Sequence, residues 1–119
     1  MLQLSDDDYG VWYVDVMDNP DRYQGKVVSF LGQVAQSEKF PRGTCACGRF
    51  AMVCCAEDTT FLGVLLKGPE VKDLQTRDWV KVTGRVQLEN VKLYQGEGPV
   101  LHILDIAKTQ PPQDELVYF

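Results

Sequence analysis

The chain has 119 residues, 45% of them hydrophobic and 24% charged, which is the size and balance of one globular domain with one core. Its formal net charge is -5, so the average surface repels the phosphate backbone that supplies most nucleic-acid affinity, and nucleic acid is a disfavoured partner. No run approaches the roughly 20 consecutive apolar residues of a membrane span. The opening Met1 to Asp8 has neither the basic nor the apolar region of a secretory signal, so the chain is expected to be soluble as it stands, with an upstream anchor left open.

Ser5 followed by Asp6, Asp7 and Asp8 puts a capping side chain and then negative charge where a helix N-terminus is partially positive. A helix is therefore expected over about 5–18, stopped by Asn19-Pro20. Tyr9, Trp12, Tyr13 and Val16 form a stripe at helical spacing. Such a stripe could be a stacking platform, but core packing is the ordinary reading.

Lys26 to Ala35 and Asp78 to Leu88 share one layout, with apolar residues at a period of two and a glycine in the middle. Gly32 and Gly84 weaken their strands unless the strands bend or admit a close neighbour, as corners of a small barrel require. Two further strands are expected at about Gly48 to Cys55 and Phe61 to Lys67, joined by a polar turn over 56–60. A fifth, Val100 to Ala107, follows the turn-rich Gln95 to Pro99. A short helical or irregular piece is expected near Val71 to Thr76, and Pro111-Pro112 marks an extended tail over 108–119. The expected architecture is a mainly β domain over 1–119: a five-stranded OB-like Greek-key barrel over about 26–107 with a short N-terminal helix.

The four cysteines, Cys45, Cys47, Cys54 and Cys55, fall in one window. Four thiols suffice for a zinc or cluster site, yet along an uninterrupted strand rising about 3.3 Å per residue Cys47 and Cys54 stand roughly 23 Å apart. A single site needs a break, which Gly48 could supply, or ligands from elsewhere. Cys54, Cys55 and Asp58 flank one turn and could converge on a soft or borderline metal ion. Ordinary buried thiols and a Cys45 to Cys47 disulfide are the other readings. His102 is the lone histidine, read as a strand residue with a hydrogen-bonded ring, and no phosphate loop, nucleophile elbow or zinc-protease motif is present. Spaced basic residues in the second half, with Tyr94 as the one aromatic placed for stacking, give a weak single-strand-binding signal.

Three segments carry a resemblance: Arg49-Phe50 with Cys54-Cys55 three residues on and then Asp58, the strand opened by Trp79-Val80-Lys81-Val82-Thr83-Gly84, and the ending Pro111-Pro112 with Val117-Tyr118. Together these resemble the C-terminal soluble domain of the YcgQ-type subunit of bacterial two-component membrane permease complexes, across nearly the whole chain. The resemblance implies an uncharacterised, non-enzymatic accessory domain beside a membrane permease subunit, membrane-associated in its full-length context and handling a metal or other solute. Arg49, Phe50, Cys54, Cys55 and Asp58 match the motif, and Trp79 opens its strand. The family's membrane-spanning region ahead of the domain is not in this chain, and Cys45 and Cys47 stand outside the motif. The competing readings are an OB module for single-stranded nucleic acid or oligosaccharide, and a thiol redox enzyme using Cys54 and Cys55.

Overall fold

The computed structural model of the protein describes residues 1–52 and 59–118. In chain order these form β1 (Leu2–Gln3), α1 (Asp6–Asp18), β2 (Val27–Ala35), β3 (Thr44–Met52), β4 (Thr59–Lys67), β5 (Trp79–Val91), β6 (Gly96–Lys108) and β7 (Leu116–Tyr118). Single 3₁₀ turns lie at Pro20–Tyr23, Pro69–Asp73 and Lys92–Tyr94.

Five strands close a barrel in the order β2-β5-β6-β4-β3, with β3 returning to β2. All neighbours are antiparallel except β4 and β6, which run parallel from Leu65↔Val100 to Lys67↔His102. This is the Greek-key order of an OB barrel, as the strand spacing leads one to expect.

The interior follows from the period of two. Val28, Phe30 and Val34 of β2 and Val80, Val82 and Val86 of β5 are buried, while Lys81 and Arg85 between them are exposed. Both mid-strand glycines sit at barrel irregularities. Gly84 adjoins a register shift in which Thr83 faces Asp105 and Gly84 faces Ile103, so Leu104 bulges out at 53% exposure. A Cβ on Gly32 would stand 2.7 Å from the Cys47 Sγ, so its absence is what lets β2 close against β3.

Helix α1 plugs the barrel with the expected stripe: Tyr9, Trp12 and Val16 are at 1%, 4% and 0% exposure. Burying each contributes about 1.5–3 kcal/mol before entropy is counted. The Tyr9 and Trp12 rings meet Phe30 at 5.1 and 5.8 Å, and the Tyr9 hydroxyl donates to the Leu62 carbonyl at 2.7 Å. At the helix start the Asp8 carboxylate accepts from both the Ser5 N–H and hydroxyl, at 3.3 and 2.9 Å.

The last segment departs from the expected extended tail. Strand β3 meets β2 only over Ala46 to Gly48, and its far end is paired instead with β7, in parallel, from Phe50↔Leu116 to Met52↔Tyr118. Across the same opening, β1 pairs in parallel with the start of β2. Two short strands from the chain ends thus fill the barrel's open seam. Neither is long enough to leave a periodic signal in the sequence.

Candidate binding face of the barrel

Adjacent residues of β3 alternate in and out. Cys45, Cys47, Arg49 and Ala51 face the interior at 0–1% exposure, and Phe50 stands on the outer surface at 42%. Opposite it in register is Phe61 of β4. The two rings lie 5.0 Å apart, tilted by 52°, a favourable aromatic arrangement. They floor one side of a groove of 580 Å³ that also takes in Gln33, Val34, Ala35, Thr76, Arg77 and Glu115. That volume is in the range of ligand or side-chain pockets.

Arg77 is held there at a cost. Its φ of 81° lies in the left-handed region that favours glycine, and two bonds fix it: its N–H donates to the Val34 carbonyl at 2.8 Å, and Gln33 Nε2 donates to its carbonyl at 3.4 Å. Non-glycine residues kept in this conformation concentrate at functional sites. Arg77 and Glu115 give the groove one cation and one carboxylate around an aromatic floor, which suits an apolar or aromatic group carrying polar edges.

The rest of the β4 outer face is filled by the protein's own loops. Leu65, Val91 and Val100 form a small second core with Phe40 and Tyr94 packed on it. The Tyr94 hydroxyl donates to the Pro99 carbonyl at 2.8 Å and accepts from the Leu65 N–H at 3.2 Å, and burial pushes its pKa up to about 12. Tyr94 is therefore partly buried against this second core, with its hydroxyl bound on both sides.

Beneath the groove lies the other half of the motif. Arg49, 1% exposed, donates to the Asp6 carboxylate at 2.7 Å, the Asp114 carbonyl at 2.9 Å and the Glu115 carbonyl at 3.3 Å. Its guanidinium also lies 5.3 Å from the centre of the Trp79 ring. Arg49 thereby ties the first turn of α1 and the approach to β7 onto the barrel. The fold brings Arg49 and Trp79 together and sends Phe50 to the other side of the sheet.

The expected metal residues divide. Strand β3 runs through Gly48 to Met52 without a break, and Cys45 and Cys47 are free thiols inside the barrel. Burial pushes the Cys45 thiol up to about 11 and the Cys47 thiol further still, which favours neutral thiols over the thiolates a metal or a nucleophile requires. Among the described residues no group of three His, Cys, Asp or Glu is gathered. Cys54, Cys55 and Asp58 lie outside the described residues. His102 meets the Glu89 carboxylate through Nε2, and Lys67 reaches the same carboxylate at 3.0 Å. Burial alone would raise the Glu89 pKa, but those two partners hold it below the usual value.

Phe61 and Glu115 did not stand out in the sequence, while Asp6 read only as charge at a helix start and Arg77 only as one of the spaced basic residues. Phe61 carried the one available signal, an aromatic opening a strand across a short turn from Phe50.

The strand order, closure and helical plug define a small OB-type barrel with an aromatic groove on its β3-β4 face. The chain matches the DUF1980 C-terminal domain over residues 1–119 and belongs to that family. It is 26% identical over 110 residues to a Streptococcus mutans protein named "Putative two-component membrane permease complex subunit", a match covering 89% of this chain and 40% of that protein. The chain thus spans about 40% of the length of that relative. Among solved structures, an aspartyl tRNA synthetase from Entamoeba histolytica is similar at 13% identity with a TM-score of 0.39, over 73% of this chain and 19% of the other. No helix among the described residues is long and apolar enough to cross a membrane.

Proposed function

We propose that this domain is a non-enzymatic binding module of a membrane permease complex, and that its partner contact is the groove floored by Phe50 and Phe61. The observation that carries the reading is a half-exposed aromatic pair beside a strained Arg77, in a chain whose relative is named for a permease complex. Aromatic and arginine side chains in a partly enclosed site are the usual anchors of protein contacts. Burial raises the pKa of the inner thiols Cys45 and Cys47, which makes them poor nucleophiles at neutral pH.

The test is co-purification of the full-length subunit with the membrane protein encoded beside it. Recovery of the partner with the wild type and its loss with Phe50→Ser and Phe61→Ser supports the reading; recovery unchanged by both substitutions sinks it. OB barrels also bind oligonucleotides and oligosaccharides on the equivalent face. Low-salt titration with single-stranded DNA and with neutral oligosaccharides separates that alternative, and binding there that depends on Phe50 would replace the permease reading.

A zinc ion held by Cys54, Cys55 and Asp58 is a separable element of the proposal, supported by their closeness in the sequence and by the soft thiolate donors. It predicts metal in anaerobically purified protein that is lost in Cys54→Ser. Metal-free protein with both thiols reactive removes this element and leaves the groove untouched.

A further inference from the structure

The outer side of α1 carries a stripe that the barrel does not use. Asp7, Val11, Val14 and Asp18 recur at i, i+4, i+7 and i+11, which gathers them within about 60° of one another on the helix surface. All four are exposed, Val11 at 70% and Val14 at 44%. β-Branched residues are poor choices for an exposed helix position, where they lose rotamer freedom and bury little, so folding accounts poorly for Val11 in particular.

Beside the stripe lies a groove of 440 Å³ lined by Val11, Trp12, Val14, Asp15, Asp18 and Tyr23. Trp12 is 4% exposed, and its indole N–H has no acceptor among the described residues. Buried donors are nearly always paired, so this one is an exception on the inner side of the groove. The charge on this helix is negative throughout. Helix α1, DDDYGVWYVDVMD, contains no basic residue. Arg22 faces Asp15 at 3.5 Å, and Asp7 and Asp18 make no ion pair among the described residues.

We propose that this face docks an amphipathic helical segment of a partner protein, apolar at its centre and carrying Lys or Arg near both ends. The stripe from Asp7 to Asp18 is roughly 16 Å long at 1.5 Å per residue, matching three turns of such a helix. An anionic membrane surface or a nucleic acid meets the aspartates with like charge. A second copy of this chain, related by a two-fold axis, sets Asp7 against Asp18. The proposal is independent of the Phe50 groove and of the permease reading.

The test uses two Ala-based peptides about 18 residues long, enough to be helical, with the same central Leu pair and either Lys or Glu at both ends. Binding to the protein is followed by fluorescence anisotropy at low salt. The Lys peptide should bind about tenfold tighter than the Glu peptide, from two attractive contacts replaced by two repulsive ones, and the gap should shrink in high salt. The double variant Val11→Ser, Val14→Ser, which leaves the charge unchanged, should lose most of the Lys peptide's affinity while keeping its fold by circular dichroism, since both positions are exposed. Equal affinity for the two peptides, no binding, or binding indifferent to the double variant overturns the proposal, as does a concentration-dependent dimer that the double variant abolishes.

Discussion

Arg49 and Phe50 are neighbours in the sequence and opposites in the barrel. The cation is the inward residue, spending its donors on Asp6 and on the carbonyls of residues 114 and 115, and the aromatic ring is the one left half in water. Burial usually runs the other way. The inversion teaches that this motif does two things on two faces of one strand: Arg49 ties the first turn of α1 and the segment before β7 together inside, and Phe50 leaves an aromatic surface outside. Substituting each should separate stability from binding.

The largest effect falls on the tie. Arg49→Met keeps the side-chain length but leaves two carbonyls and Asp6 without their donor, and should cost about 2–4 kcal/mol in urea unfolding. Amide exchange over Leu116 to Tyr118 should rise with it, because those residues pair with β3 just past Arg49. A loss under about 0.5 kcal/mol would mean that β7 holds the seam without Arg49.

Next is the interior side of β3 at high pH. The Cys45 pKa is raised from 9.0 to about 11, and Cys47 and Tyr9 are raised by burial as well. A raised pKa means the folded protein holds its proton longer than the unfolded chain does. The stabilisation is complete below pH 9, the ordinary thiol value, and is lost as pH climbs through 11. Melting temperature should therefore fall across that window, less steeply in Cys45→Ala than in the wild type.

Smaller again is Asp6→Asn, which keeps an acceptor but removes the charge from a half-exposed partner of Arg49. About 1 kcal/mol or less is expected, reduced by salt. Phe50→Ser should be similarly small for stability, about 0.5–1 kcal/mol for the lost ring contact with Phe61, whatever it does to binding.

Most of the barrel was legible because its strands are regular. The alternation of Val80, Val82 and Val86 and the stripe Tyr9, Trp12, Val16 mark their own buried faces, and Gly32 and Gly84 mark where the sheet must bend or close. Strand β3 begins earlier than the sequence indicates, because Thr44 to Cys47 owes its pairing to β4 across the sheet. β6 likewise starts at Gly96, through residues that read as a turn, with the reversal made instead by the 3₁₀ turn Lys92–Tyr94 and the left-handed Gln95. The site was less legible. Alternation states that Arg49 and Phe50 face opposite ways without saying which faces in, since two of Arg49's acceptors are backbone carbonyls from a tail with no periodic signature and the third, Asp6, lies 43 residues away in the sequence. The groove depends on Arg77 and Glu115 reaching Phe50 from distant parts of the chain, which only the closed barrel arranges.

The most direct test is the amount of partner membrane protein retained by the full-length subunit carrying Phe50→Ser and Phe61→Ser, scored against its unfolding midpoint. The groove account predicts a subunit that stays folded, within about 2 kcal/mol of the wild type, and loses its partner. A folded double variant that still retains the partner in full would contradict it.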